Sequence, residues 1–310
     1  MKNRLKNNLF FLIIVSLLLP ILGCTSGGGY VSVPPEDPAT SKSGSSIQPS
    51  QEDPALDTTA DTIFVLGPLE DSIKNRISLL EGDWSVYIKD LSSGETISIN
   101  SHKGKAASLT KLFIMVSVYQ QVKSGLLPLD GETKSLLYQM ITASDNEASN
   151  TLVAKLGNGD FKRGMAFENR LINDWGYKDS EQQRDMKDWR DKPVEGENYT
   201  SVMDCGELLE KIYKGECVSK EFDRQMLDMM LEQTRRGKIP AGLPNGVMVA
   251  NKTGELSDTE NDVAVVYTAN GDYILCVLAS GLKDTDSARV IIAEISAEVY
   301  EYIASYDRAA

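Results

Sequence analysis

The sequence predicts an α/β fold of the α+β type, in which helices flank one antiparallel sheet of about five strands and an all-helical lobe lies beside it. Apolar and polar residues alternate near both ends of the candidate domain, whereas the middle shows helical periodicity. Strands from the two ends must pair to bury a common face, so the central helical block is expected to form the second lobe.

The elements follow from these patterns in order. A first helix is predicted over residues 69–80, and strands over 84–89 and 95–100 are joined by a Ser-Ser-Gly turn. Helices are predicted over residues 108–122 and 285–305, and further helical material over residues 131–158, 161–175, 201–214 and 219–235. Further strands are predicted over residues 246–252, 262–268 and 272–280, the last two joined by an Asn-Gly hairpin turn.

The N-terminal region is expected to precede the folded domain. Basic residues are followed by an apolar run over residues 9–22, which is short for a transmembrane helix and typical of a signal peptide. The run ends in a Leu-Gly-Cys sequence at Cys24, which resembles a bacterial lipobox. We therefore interpret residues 1–23 as a lipoprotein signal peptide and Cys24 as the lipidated residue, the alternative being an ordinary signal with an incidental cysteine.

Residues 24–60 are rich in Gly, Ser, Pro, Thr and acidic residues, with almost no large apolar side chains. Such a segment buries too little surface to offset its chain entropy, so we expect a flexible linker. Residues 61–310 then form one domain, anchored by lipid to the outside of the bacterial cell membrane.

Composition excludes some classes of partner. The net charge is −13 without a basic cluster, which argues against nucleic acid and against direct docking on anionic lipid. Cys276 lies in an apolar run and is expected to be buried. A helix between Cys205 and Cys217 would hold their thiols too far apart for a disulfide, although the sequence leaves that pairing open.

Three short motifs carry the chemistry: Ser-Leu-Thr-Lys at 108–111, Ser-Asp-Asn at 144–146 and Lys-Thr-Gly at 252–254. A second Ser-x-x-Lys at 280–283 shows that the first motif means little alone, but it ends a strand rather than starting a helix. Each motif alone fits a helix cap, a turn or a strand end. The combination in this order, after a secretion signal, is specific.

The predicted catalytic residues are Ser108, Lys111 and Ser144. A serine hydroxyl is a poor nucleophile until a base takes its proton, and the only histidine, His102, lies in a polar stretch. Lys111 falls one helical turn after Ser108 and can serve as that base when neutral, a state that burial and a second cation favour. Ser144 can pass a proton to the leaving nitrogen.

The motifs also predict the substrate-binding residues Asn146, Lys252, Thr253, Gly254 and Glu255. The asparagine can hold Lys111 or a substrate amide, and the lysine and threonine can receive a substrate carboxylate. The glycine would let a substrate lie flat along the strand. The N–H of the glutamate would join that of Ser108 in an oxyanion hole, which the helix N-terminus assists.

The three motifs resemble those of the serine β-lactamase and penicillin-binding protein superfamily. Their surroundings at 107–114, 144–150 and 251–255 are most similar to class A β-lactamases, and the likeness extends from about residue 70 to the C-terminus. The resemblance implies a β-lactamase/D,D-peptidase-like fold, an acyl-enzyme on Ser108 and a β-lactam or peptidoglycan-like substrate. It implies no metal, cofactor or nucleic acid, and a monomer.

Two departures from the class A pattern affect the expected reaction. Met186 stands where the glutamate that activates the deacylating water belongs, although Arg184 and Asn198 can still tie that loop together. A thioether cannot accept a proton from water, so slow turnover is expected. The acidic residues considered as substitutes are the neighbours Asp185 and Asp188 and, with a rearranged loop, Glu195 or Glu197. The stretch between the first two motifs is also short, which predicts a more open cleft.

Three hypotheses follow in order of preference. The first is a lipid-anchored β-lactamase-like serine hydrolase, with a penicillin-binding or D,D-peptidase-like enzyme as its variant. The second is a tethered module that senses cell-wall fragments without catalysis. The third is a structural lipoprotein with chance motifs, which a large separation between Ser108 and Lys252 would support.

Overall fold

The computed structural model describes residues 65–186 and 196–305. The predicted signal peptide, Cys24 and the linker lie outside these residues, so those interpretations stay predictions. In the described ranges, no helix combines the length and the apolar character that crossing a bilayer requires.

The described chain contains α-helices, strands and two short 3₁₀ turns. The α-helices are α1 (Gly67–Ser78), α2 (Thr110–Lys123), α3 (Gly131–Thr142), α4 (Asn146–Leu156), α5 (Phe161–Asp174), α6 (Val202–Lys214), α7 (Lys220–Leu231) and α8 (Thr285–Ala304). The strands are β1 (Asp83–Asp90), β2 (Thr96–Ile99), β3 (Gly104–Lys105), β4 (Tyr199–Thr200), β5 (Met248–Leu256), β6 (Thr259–Tyr267) and β7 (Tyr273–Ser280). The 3₁₀ turns are Ala107–Leu109 and Ile239–Gly242.

The predicted fold class is confirmed. Five strands form one sheet in the order β2-β1-β7-β6-β5, and every neighbouring pair is antiparallel. Strands from both ends of the domain therefore pair, and β5 forms one edge. The helices between β2 and β5 supply the helical lobe.

The central strand β7 is buried on both faces, which explains its nearly continuous apolar run, whereas the edge strand β2 alternates between buried and exposed residues. Tyr87 and Cys276 belong to a core shared with the helical lobe, whereas their neighbours Val86 and Val277 belong to a core shared with α1 and α8. This alternation follows from the two-residue period of a strand. Cys276 is buried as predicted, and Cys205 and Cys217 are free thiols.

Several predicted boundaries are wrong. The helical material predicted over 131–158 forms two helices, because the chain turns at Ser144 before α4 begins. Ser108 lies in the 3₁₀ turn that precedes α2 and does not itself start the helix. Lys252 lies within β5, since the strand continues to Leu256. The small β3–β4 ribbon was not predicted.

Candidate active site

Ser108 is held by a tight turn against the edge strand β5. The preceding Ala107 has φ +48°, a left-handed conformation that is unfavourable for a residue with a side chain and that clusters at functional sites. A Cβ on Gly254 would lie 2.8 Å from the carbonyl oxygen of Ala106 and 3.3 Å from the amide nitrogen of Ser108. Glycine is thus required here by the approach of the Ser108 turn, a reason the sequence did not reveal.

A second strained turn places Ser144. Its φ is +60°, and Asp145 then caps α4 by accepting a hydrogen bond from the backbone N–H of Ala148 at 2.7 Å. Asn146 is the first residue of α4, so its side chain and that of Ser144 stand at the helical wall of the cleft. The Ser-Asp-Asn motif is therefore a helix break followed by an N-cap.

The amine of Lys111 links the first two motifs. Its Nζ lies 3.1 Å from Ser108 Oγ and 3.1 Å from Ser144 Oγ. The same Nζ lies 2.6 Å from the carbonyl oxygen of Ser144 and 2.8 Å from Asn146 Oδ1. The contact predicted between Lys111 and Ser108 is present.

These partners leave Lys111 able to act as a base once its amine is neutral. The carbonyl oxygen of Ser144 and Oδ1 of Asn146 can only accept hydrogen bonds, so they engage two N–H groups. Loss of one proton from the Lys111 ammonium would keep those two N–H groups and expose a lone pair that can accept the proton of Ser108 Oγ. The geometry therefore matches a general base next to a nucleophile.

The third motif approaches from the sheet. Nζ of Lys252 lies 2.9 Å from Ser144 Oγ, so that one hydroxyl contacts both lysine amines. Burial, with the nearby cations Lys111 and Arg235, lowers the pKa of Lys252 well below its ordinary value of 10.5. Lys252 is fully buried beneath the cleft, whereas Thr253 and Glu255 line its surface.

The cleft has a volume of about 410 Å³ and contains the predicted nucleophile. Its lining residues come from both lobes and are Ala107, Ser108, Ser144, Asn146, Arg184, Met186, Arg235, Thr253, Glu255, Leu256, Ser257 and Arg289. Sequence reasoning missed Arg235 and Arg289 as parts of this wall. No motif marks these arginines, since Arg235 follows α7 and Arg289 lies near the start of α8, outside all three motifs.

Glu255 is engaged with the cations of this wall. It forms ion pairs with Arg235 at 2.8 Å and with Lys238 at 3.4 Å. Burial alone would raise the pKa of Glu255, but Lys238, Arg235 and Arg289 outweigh it and hold that pKa below its ordinary value. The Glu255 carboxylate is therefore a weak base, and its ion pairs hold it at the cleft wall.

The loop that carries Met186 closes another side of the cleft. Both backbone polar groups of Met186 bind the side-chain amide of Asn150, each at 2.8 Å. Asn198 Oδ1 accepts from the backbone N–H of Arg184 at 3.1 Å, and Arg184 pairs with Glu197 at 2.7 Å. Arg184 and Asn198 tie the loop as predicted.

The structure locates some of the proposed substitute acids. Glu197 is held in an ion pair with Arg184, and Asp185 does not line the cleft. Asp188 and Glu195 lie outside the described residues. Among the residues that the structure describes, Glu255 is the carboxylate that lines this cleft.

Two other sequence features lie outside the cleft lining. His102 is exposed and contacts Asp83 at 3.1 Å. Lys283 of the second Ser-x-x-Lys is exposed and pairs with Glu81, so it does not activate Ser280.

Comparison with known proteins places the fold. The sequence matches the Beta-lactamase enzyme family over residues 68–134 and 131–303. No curated protein matches the sequence. The structure is similar to PBP-A, with a TM-score of 0.71 and 24% identity over 78% of this chain and 97% of that chain.

Two β-lactamase structures are also similar. A β-lactamase from Sphaerobacter thermophilus gives a TM-score of 0.68 and 24% identity over 77% of this chain and 98% of that chain. An ancestral class A β-lactamase gives a TM-score of 0.68 and 22% identity over 75% of this chain and 99% of that chain. These likenesses confirm the expected β-lactamase/penicillin-binding fold. Since the family match spans well over half of the sequence, the chain belongs to the Beta-lactamase enzyme family.

Proposed function

We propose that the protein is a serine hydrolase that is acylated on Ser108 by β-lactams and releases the acyl group slowly. The observation that carries the proposal is the continuous series of contacts from Ser108 Oγ through Lys111 Nζ and Ser144 Oγ to Lys252 Nζ, at 3.1, 3.1 and 2.9 Å. Ser108 and Lys252 are joined by this series, which argues against chance motifs.

Acylation follows from the roles that these contacts permit. Lys111 takes the proton of Ser108 as Oγ attacks the lactam carbonyl, and the carbonyl oxygen becomes an oxyanion. Ser144 then gives its proton to the lactam nitrogen as the C–N bond breaks, and it regains a proton from a lysine amine that contacts it. The products are an ester on Ser108 and a protonated leaving nitrogen that stays attached to the opened ring.

Slow deacylation rests on the Met186 side of the cleft. Hydrolysis of the ester requires a water molecule to lose a proton, and the Met186 thioether cannot accept one. Glu255 and Glu197 are held in ion pairs with arginine. The acyl-enzyme is therefore proposed to persist.

The test is intact-protein mass spectrometry after mixing with penicillin G, followed over time. PBP-A has been solved, as a leucine-to-glutamate mutant, in an acyl-enzyme complex with penicillin G, which makes this a suitable probe. We expect a single long-lived adduct that is absent in Ser108→Ala and retained in Ser280→Ala, a matched control in the second Ser-x-x-Lys. No adduct on folded wild-type protein would overturn the proposal.

A penicillin-binding or D,D-peptidase-like enzyme is the second candidate, and Met186 is the observation that favours it. Such an enzyme would cleave peptides ending in D-Ala-D-Ala and would keep a penicillin adduct. Release of D-alanine that depends on Ser108 would support it. A module that binds such peptides without acylation or release of D-alanine would instead fit a cell-wall sensor.

We also propose that the N-terminal leader directs lipid attachment at Cys24, outside the cytoplasmic membrane. The support is the sequence pattern alone. In a bacterial host, Cys24→Ser should abolish labelling by a radioactive fatty acid, while Ser108→Ala should not. Equal labelling of wild type and Cys24→Ser would contradict this assignment.

A further inference from the structure

Arg289 lines the cleft from near the start of α8 and is paired with the buried carboxylate of Glu260. Nε of Arg289 donates to Glu260 Oε1 at 2.9 Å, and Nη2 lies 2.8 Å from the same oxygen. Glu260 lies on β6 and is only 1% exposed, whereas the Arg289 side chain is 42% exposed. The carboxylate is thus part of the fold, and the guanidinium faces the cleft.

The same carboxylate holds a second cation. Lys238, which is 2% exposed, pairs with Glu260 Oε2 at 2.6 Å. Its Nζ also lies 2.9 Å from the carbonyl oxygen of Asn261 and 3.3 Å from that of Gly254. Glu260 therefore connects the cleft arginine to the backbone of β5 beside the Ser108 turn.

Burying Glu260 and Lys238 together carries a free-energy cost. Removing charged groups from water carries a desolvation penalty that ion pairing repays only in part. Two cations contact this one carboxylate, and the pKa of Arg289 is raised chiefly by its hydrogen bond to Glu260. The guanidinium is consequently kept charged and in one orientation.

Arg289 retains capacity for a ligand. Of its five N–H groups, Nε donates to Glu260 and one on Nη1 donates to Asp286, which is 89% exposed, while Nη2 lies 2.8 Å from Glu260 Oε1. Within the part of the chain that the structure describes, at least two N–H groups of Arg289, which lines the cleft, remain for another acceptor. A planar guanidinium suits a carboxylate.

We propose that Glu260 is a positioning residue, which fixes the guanidinium of Arg289 at the cleft wall so that it binds the carboxylate of the acylating substrate. This inference rests on the proposed acylation of Ser108. Glu260, which is buried and does not contact the substrate, would then contribute to selectivity for anionic substrates.

The test compares acylation by penicillin G with acylation by its methyl ester, which lacks the carboxylate. The measured quantity is the ratio of the two second-order acylation rate constants, taken from adduct formation by mass spectrometry. We expect Glu260→Gln to lower this acid-to-ester ratio by about tenfold, the scale of one charge-assisted hydrogen bond. Arg289→Ala should lower it at least as much.

Two further variants separate positioning from general stability. Asp286→Asn removes the exposed partner of Arg289 and should leave the ratio unchanged. In an Arg289→Ala background, Glu260→Gln should cause no further change, because the residue through which it acts is gone. Thermal unfolding of each variant is measured separately, since a purely structural loss slows both reagents equally and leaves the ratio intact.

The outcomes are distinct. A ratio that Glu260→Gln does not change in folded protein overturns the positioning role, as does an equal fall in both rate constants. If Glu260→Gln does not fold, Glu260→Asp keeps the charge beside Lys238 but shortens the reach to Arg289, and an unchanged ratio in that variant overturns the inference. Failure of both reagents to acylate the wild type would instead overturn the proposed function.

Discussion

Replacing Met186 by glutamate should convert a persistent acyl-enzyme into one that turns over. Met186 is 6% exposed, lines the cleft with Ser108, and has its backbone N–H and carbonyl fixed by Asn150. A glutamate would therefore begin from the same anchored backbone and present a proton acceptor to the cleft. Met186→Glu supplies the group that deacylation lacks while leaving the acylating residues unchanged.

The size of the effect follows from general-base catalysis, which contributes about 10²–10⁴-fold, or about 3–5 kcal/mol in barrier height. Burying a carboxylate at this position costs stability, on the order of 1–3 kcal/mol. The Asn198 amide, 3.9 Å from the Met186 sulfur, can donate to the new carboxylate and offset part of that cost. We thus expect deacylation to quicken by at least about 10²-fold, with a modest loss of thermal stability.

The assay is the decay of the penicillin G adduct by mass spectrometry, with turnover of a chromogenic cephalosporin as a second readout. Met186→Gln is the matched control, because glutamine resembles the introduced glutamate in size and polarity but has no basic carboxylate. A Met186→Glu variant that folds and is acylated at the wild-type rate, yet whose adduct decays no faster than that of Met186→Gln, would exclude a general base at position 186. Fast turnover by the wild type would equally show that Met186 does not limit deacylation.

Three further predictions concern single side chains. Ser144→Ala removes the hydroxyl between the two lysine amines and should slow acylation by about 10²–10⁴-fold; an unchanged rate of adduct formation would exclude the proton relay. Gly254→Ala forces a Cβ to 2.8 Å from a backbone oxygen of the Ser108 turn and should cost about 1–3 kcal/mol in urea unfolding, whereas Gly237→Ala, with open space around it, should not. Burial raises the pKa of Glu168 well above 4.5, and neither of its carboxylate oxygens has a hydrogen-bond partner among the described residues. Its folded-state proton therefore favours folding in acid, and that contribution is lost as the pH rises from the unfolded pKa through the folded one. Glu168→Gln should gain stability relative to wild type as pH rises above 4.5; thermal midpoints whose difference is constant with pH would contradict this.

Much of the architecture is predictable from local patterns. The hairpin over β1 and β2 follows from alternation around a glycine turn, and the β6–β7 pairing follows from its Asn-Gly turn. Each of these features depends on residues close together in sequence. Local propensity and periodicity act at that range, so sequence alone suffices for them.

The position of the break in the 131–158 segment is harder to predict. Three residues, Ala143 to Asp145, separate α3 from α4, and Ser144 among them takes a left-handed conformation. The cost of that conformation is offset by contacts with Lys111 and Lys252, which lie 33 and 108 residues away along the chain. Local patterns contain no information about partners at such separations.

The three motifs, the pairing of early and late strands and the chemistry of a serine beside a lysine can all be inferred from the order of residues. Folded coordinates are needed to see that Gly254 must lack a side chain, that Arg235 and Arg289 share the wall of the cleft, and that Glu260 contacts Arg289. Hydrogen bonds and ion pairs depend on distances of about 3 Å, and folding sets these distances between residues that no periodicity relates.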